Sequence, residues 1–157
     1  MQQFSDWLAA TWLSVALQEH NAWTIPAIQS LHIIAIAIAM GSSLLIGLRV
    51  LGIAGTDQTP AQNLARYGPW LKAALWTLLV SGTLLVVAEP VRELITVSFW
   101  VKMALVIVGV LLARALSRGA GAAYVVLQFL IWIAVIFLGR LIAYDHIWGS
   151  WSPAAKA

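Results

Sequence analysis

The side chains able to do chemistry in this chain are few. There are three histidines, His20, His32 and His146, and a handful of charges set in or beside long apolar runs, chiefly Glu89, Lys102 and Arg140. An imidazole can ligate a metal, move a proton or hydrogen-bond a carbonyl. Cysteine is absent, which excludes thiolate zinc sites, iron–sulfur clusters, c-type haem attachment and disulfides. Metal chemistry is thus left to imidazole and oxygen, with His32, His20 and His146 as the candidate ligands.

Helical spacing sorts these groups. Gln29, His32, Ala39 and Ser43 fall in one narrow arc, because steps of three and four residues return to the same face. Lys102 aligns with Gly109 and Ala113, and Glu89 with Ser81 and Leu85, so these groups are predicted to look into the protein. His32 follows Trp23 by nine residues and Arg140 precedes Trp148 by eight. At a helical rise of about 1.5 Å per residue, both then lie roughly 12 to 14 Å beneath one aromatic belt. Ionisable groups at that depth are costly and face a cavity or a partner, which makes them site candidates by default. Hydrogen bonding between helices is the structural alternative for both. Glu89 and Lys102 lie nearer the surface, where they line an entrance or snorkel to water.

A b-type haem held between helices takes axial ligands on opposite faces of the iron, at nearly equal depth. His146 is six residues beyond Arg140, which puts it roughly 9 Å shallower than His32 in a regular helix. That mismatch argues against a His32–His146 pair. It leaves His32 alone, His32 with its copy in a symmetric dimer, or His32 with His20. Arg140 and Lys102 carry donors suited to haem propionates or to a quinone carbonyl.

The elements that must position these groups are membrane helices. Of the 157 residues, 62% are hydrophobic and only 10% charged, against about a quarter charged in a soluble domain. A soluble fold of this composition could not cover its surface. The mean hydropathy of +0.90 and the nine tryptophans agree, since Trp gathers where helices meet lipid headgroups. A formal charge of +3 would suggest nucleic acid in a soluble protein, but in a membrane protein the placement of charge matters more than its total, and no nucleic-acid partner is expected.

Four runs can cross a hydrocarbon core that needs roughly 20 helical residues: Ile25 to Leu48, Trp70 to Ala88, Phe99 to Leu116 and Tyr124 to Ala143. Thr24 is the predicted N-cap of the first, with Pro26 in its first turn, and Arg49 and Gly52 close it. The polar segment GTDQTPAQN separates the first two spans. Glu89, Pro90, Arg92 and Glu93 separate the second from the third, and Ser117, Arg118, Gly119 and Gly121 the third from the fourth. Ala35, Ala39, Ser43 and Gly47 form a small-residue ridge that marks close helix packing. Residues Phe4 to Gln18 read as one short helix with Phe4, Leu8, Trp12 and Val15 on one side and Gln3, Asp6, Ser14 and Gln18 toward the other. It either lies in the membrane interface or caps the bundle. The acidic start MQQFSDWLAATW has no small-residue cleavage pattern and does not read as a signal peptide.

If the first span runs inward, the inner side carries Arg49, Arg66, Lys72, Arg114 and Arg118 against Asp57 alone. The outer side then has Arg92, Lys102, Arg140 and Lys156 against Asp6, Glu19, Glu89, Glu93 and Asp145. The positive-inside rule favours this orientation, with both termini in the periplasm of a bacterial cytoplasmic membrane. The expected architecture is an all-α, integral membrane four-helix bundle, a single domain over residues 1–157, with an N-terminal interfacial amphipathic helix. GAGAA at Gly119 to Ala123 lies in a turn between spans rather than after a strand, so it is not a nucleotide loop. No paired-His metalloprotease motif occurs, and Ser42 and Ser43 read as small packing residues.

Three segments carry a resemblance: SLHIIAIAIAMGSSLLIGLRVLG in the first span, FWVKMALVIVG opening the third and WIAVIFLGRLIAYD closing the fourth. Over nearly its whole length the chain resembles an uncharacterised bacterial family of small four-helix integral membrane proteins, a domain of unknown function. The family pattern of an early His, an "LR-x-LG" ending, a Lys after an aromatic pair and a "GR-x-IAY" ending matches His32, Arg49, Lys102, and Gly139 with Arg140 and Tyr144. His20 and His146 are not part of it. The resemblance implies the fold and the membrane location and no activity. A more distant, fold-level similarity is to the membrane domain of copper-resistance D proteins.

The leading expectation is a membrane module, more a binding protein than an enzyme by itself. A periplasm-facing pocket formed by His32, Arg140, Lys102, Gln29, Tyr144 and Glu89 would hold haem b or a quinone and serve electron transfer with a periplasmic redox partner. The alternatives are a small transporter or metal-handling protein using His32, Glu89 and Gln29, and a structural subunit whose small-residue ridge binds a larger complex or a second copy of the chain.

Overall fold

The structure, a computed structural model, describes residues 1–19, 21–119 and 121–143. Seven helices follow one another among them: α1 (Gln2–Ala9), α2 (Trp12–Glu19), α3 (Thr24–Val50), α4 (Pro60–Ala88), α5 (Pro90–Leu94), α6 (Val97–Ser117) and α7 (Ala122–Ala143). Four of them, α3, α4, α6 and α7, are long and apolar enough to cross a membrane. The chain is thus an all-α, multi-pass membrane bundle, with a lipid bilayer as its surroundings.

Packing is inverted relative to a soluble bundle. Large apolar side chains such as Ile33, Trp76, Leu79, Ile107 and Phe137 point outward, while Ala35, Ala39, Ala74 and Ser81 are almost wholly covered. Lipid tails are as apolar as leucine, so small residues that let backbones approach are what belongs between helices. α3 packs chiefly on α4 and α6 on α7, and α3 touches α7 to join the two hairpins. Ala39, Ile46, Leu71 and Ala74 form the α3–α4 core, and Leu112, Ile131, Trp132 and Val135 the α6–α7 core. The predicted ridge lies inside, and at its end a Cβ on Gly47 would come within 2.6 Å of Val125 Cγ1 on α7.

Local chemistry sets the helix ends. α3 ends in a Schellman motif: Gly52 takes φ +71°, its N–H bonds Arg49 O and the Ile53 N–H bonds Leu48 O. Arg49 Nε also donates to Gln58 O, folding the α3–α4 loop back on the helix. α4 opens at Thr59 with a reciprocal capping box, Thr59 Oγ1 accepting from Gln62 N and Gln62 Oε1 from Thr59 N. This cap lies ahead of the apolar run, so the helix starts ten residues before the expected Trp70. At α3 the N-cap is Trp23 rather than Thr24, and no side chain caps it.

The N-terminal segment departs from expectation. It is two helices, not one, broken at Ala10 and Thr11, where Thr11 Oγ1 donates to Leu8 O and accepts from Ser14 N. Ser5 and Ser14 are fully buried while Phe4, Trp7, Trp12 and Val15 stand out, so the small polar side faces protein and the aromatic side faces outward. α1 packs on α5 and α2 on α4, Leu8 joins the cluster of Leu94, Phe99 and Ile142, and Gln18 Nε2 donates to Ala88 O at 2.6 Å. That bond satisfies one of the carbonyls left open at the end of α4. The segment thus caps the bundle and presents an exposed aromatic face. The bundle end covered by α1, α2 and α5 is called the capped end below.

Candidate functional site

His32 occupies α3 eight residues from its start, and Ser81 occupies α4 seven residues from its end. Antiparallel packing therefore brings them to one level, roughly 10 to 12 Å in from the capped end. His32 Nδ1 lies 2.7 Å from Ser81 Oγ, and Ser81 Oγ is 2.6 Å from Thr77 O, to which it donates. Ser81 is 2% exposed. Gly82, the next residue, lets the ring lie close, since a Cβ there would be 3.4 Å from His32 Cε1.

This relay bears on the tautomer of the imidazole. The Ser81 hydroxyl has one hydrogen, and Thr77 O takes it. With that bond made, the 2.7 Å contact calls for a proton on His32 Nδ1, and a neutral ring then keeps its lone pair on Nε2. A histidine whose one ring nitrogen is held by a hydrogen bond and whose other is a lone-pair donor has the usual arrangement of a metal-ligating imidazole.

Charged groups gather around this level from the neighbouring helices. Lys102, half-buried on α6, is close enough for its charge to act on His32, and its Nζ lies 5.5 Å from the centre of the Phe99 ring. Glu93 and Arg92 on α5 are the charges that act on Lys102. Arg92 pairs with Glu89 at 2.8 Å and with Glu93 at 3.8 Å. Glu93 is 9% exposed, a buried carboxylate held between cations. The capped end thus carries a cluster of charges, with Lys102 linking it to the imidazole.

The other predicted site residues divide. Gln29 is half-buried one turn nearer the capped end than His32. Glu89 caps α4 and belongs to the Arg92 ion pair. Arg140, in the last turn of α7, lies exposed and engaged with another residue. His20, Tyr144 and His146 lie outside the described residues. Among the described residues no group of three or more His, Asp or Glu side chains could hold a metal ion, and His32 is the only histidine.

Two residues that sequence reasoning passed over also stand out, deeper in the bundle than His32 as measured from the capped end. Gln128 and Trp132 on α7 are 3% and 5% exposed, and neither Gln128 Oε1 nor Trp132 Nε1 has a hydrogen-bond partner. A glutamine inside a helix as apolar as α7 was the available signal. Ser81 was placed on the inward face but not opposite His32, because that pairing depends on the α3–α4 register.

A family model for a family of unknown function (DUF6644) matches residues 4–145, nearly the whole chain. No curated protein matches and no solved structure matches, so the similarity to copper-resistance D membrane domains is not shown. The chain belongs to the DUF6644 family.

Proposed function

We propose that this DUF6644 member is a membrane redox module whose His32 site binds haem b or a quinone near the periplasmic surface and passes electrons to or from a periplasmic partner. One observation carries the reading: the hydrogen-bond relay His32–Ser81–Thr77, which holds Nδ1 of a half-buried imidazole and suits a neutral ring with its lone pair on Nε2. Nε2 can serve as an axial ligand or accept the hydroxyl proton of a quinol. Bound there, a haem would supply one-electron chemistry. Lys102 provides a cation for a propionate or a carbonyl oxygen, and Arg92, Glu89 and Glu93 hold that end of the bundle in charge balance.

The orientation belongs to the same proposal. The excess of Arg and Lys near the α3–α4 and α6–α7 turns supports a cytoplasmic location for those turns, which turns the capped end and both termini toward the periplasm of a bacterial inner membrane. A second nitrogen for a haem iron would come from a second copy of the chain in a symmetric dimer or from His20.

The test is the visible absorption spectrum and extracted quinone content of the full chain purified from membranes, compared with His32→Ala and Ser81→Ala. A Soret band or stoichiometric quinone that is lost in His32→Ala and reduced in Ser81→Ala is the expected result. A colourless, quinone-free wild-type preparation overturns the proposal, and a band unchanged in His32→Ala removes His32 from it. Cation flux into liposomes above empty vesicles would favour a transporter instead.

A further inference from the structure

A groove of about 230 Å³ lies between α3, α6 and α7. Its rims are Leu44 on α3 and Val126 and Leu130 on α7, which are 38%, 54% and 57% exposed, whereas Leu116 and Trp132 on its wall are 7% and 5% exposed. The groove therefore opens sideways, onto the surface that α3 and α7 turn to the bilayer. Ser43 and Gln128 bond to each other at 3.4 Å, and the rest of the lining is aliphatic or aromatic.

Open space of this kind within a membrane span is costly to leave empty, because wall atoms without neighbours forfeit their dispersion contacts. Water finds too few polar partners on such a wall. The hydrocarbon of the surrounding lipid is the matching filler, and since a dry cavity of about 150 Å³ takes a benzene ring, a segment of an acyl chain fits here.

The groove also has a polar end. Its lining reaches Leu51, the C-cap of α3, and Leu116, the last residue but one of α6, and takes in Val125 near the start of α7. These three positions lie at the end of the bundle that carries the α3–α4 and α6–α7 turns. Arg118, the C-cap of α6, follows Leu116 by two residues and is exposed, so their Cα atoms are at most about 7 Å apart, within the length of an arginine side chain. Charge at this end is one-sided, with Arg49, Arg66, Lys72, Arg114 and Arg118 against Asp57. Arg49 Nε is held by Gln58 O and Arg66 lies over the Tyr67 ring, whereas neither ion pair among the described residues involves Arg118.

We infer that the α3–α6–α7 groove holds one acyl chain of an anionic phospholipid from the leaflet at the turn end, with Arg118 as the principal contact of its phosphate. A guanidinium can take two phosphate oxygens at once, and basic pockets between membrane helices recognise anionic headgroups. The groove holds the tail whatever the headgroup, and Arg118 favours a phosphate that no choline neutralises. The site uses none of the residues of the His32 site and stands or falls independently of the redox proposal.

The experiment exposes the full chain in detergent to an equimolar mixture of phosphatidylglycerol and phosphatidylcholine with identical acyl chains, and native mass spectrometry reads which lipid stays on the protein. One lipid per chain is expected, with phosphatidylglycerol favoured about fivefold, the effect of one arginine near a charged membrane surface. Arg118→Gln should bring that ratio close to one while lipid is still retained. Arg66→Gln, at the same end but on α4, should leave the ratio as in the wild type. Val126→Trp puts an indole at the mouth of the groove in a position that already faces outward, and it should remove most of the retained lipid of either kind. Leu44→Trp closes the opposite rim and should do the same, so that misfolding of one variant leaves the other to decide. No retained lipid, or equal retention of the two lipids by the wild type, overturns the assignment. So does an Arg118→Gln ratio equal to that of the wild type, an Arg66→Gln ratio as low as that of Arg118→Gln, or full retention in both tryptophan variants. A dimer that carries no lipid would give the groove to a second copy of the chain and overturns it as well.

Discussion

His32 and Ser81 meet across the α3–α4 interface with Nδ1 and Oγ 2.7 Å apart, and the serine passes its own hydrogen to the Thr77 carbonyl one turn earlier on α4. Serine and threonine commonly return their hydroxyls to a carbonyl of the preceding turn inside helices. Here that local habit leaves the Ser81 oxygen as an acceptor for a protonated His32 Nδ1.

Ser81→Ala removes that acceptor and leaves the buried Nδ1–H unpaired. The cost expected of an orphaned buried donor is about 1–3 kcal/mol, read as a lower thermal midpoint of the purified protein in detergent. The double variant Ser81→Ala, His32→Leu removes both polar partners and should recover part of that loss. If the double variant is no more stable than Ser81→Ala alone, the pair is not coupled as described.

Gly47→Ala tests the join between the two hairpins. A methyl there would stand 2.6 Å from Val125 Cγ1, and a β-branched side chain in a helix has little rotamer freedom with which to yield. Overpacking of this kind costs about 1–3 kcal/mol. Val125→Ala in the same chain opens the space, so the double variant should be more stable than Gly47→Ala. Equal stability of Gly47→Ala and wild type would show that the α3–α7 contact gives way easily.

Thr59→Ala breaks the reciprocal cap that starts α4. Removal of such a cap costs about 0.5–2 kcal/mol. Faster amide exchange is expected at Ala61, Gln62 and Asn63, with the centre of α4 unaffected. Unchanged exchange at these three amides would contradict the role given to the cap.

Orientation can be read because the chain has no cysteine of its own. Gln3→Cys, in α1 at the capped end, and Thr56→Cys, in the α3–α4 loop, each introduce a single thiol. With intact inner membranes exposed from the periplasmic side, an impermeant maleimide should label Gln3→Cys and not Thr56→Cys. The reverse pattern would invert the proposed topology and place the His32 site toward the cytoplasm.

The spans were legible in the sequence because lipid requires an unbroken apolar run of roughly 20 residues, and the ridge from Ala35 to Gly47 was legible because close backbone approach requires small residues at a fixed interval. The start of α4 was not, since Thr59 to Asn63 is polar and its helix rests on a cap rather than on hydropathy. Which side of the N-terminal helices meets the bundle was not legible either. An amphipathic pattern records two faces without saying whether the apolar one meets protein or lipid, and here Ser5 and Ser14 fit against the bundle while Phe4 and Trp12 remain outside. His32 and Lys102 could be nominated by residue type and depth. Ser81, Gln128 and Trp132 acquire their meaning from partners, present or missing, on other helices.

The arrangement of four spans as two hairpins joined through α3 and α7 also bears on how the protein is made. Each hairpin completes its main packing between consecutive segments, α3 with α4 and α6 with α7, so each can form its own interface as soon as its second span enters the bilayer. The α3–α7 seam, with Gly47 against Val125, must wait until the last helix arrives. This layout would let the hairpins form first and the seam between them close last. The first hairpin carries the complete His32–Ser81 pair, so that pair can form before the second hairpin has been synthesised.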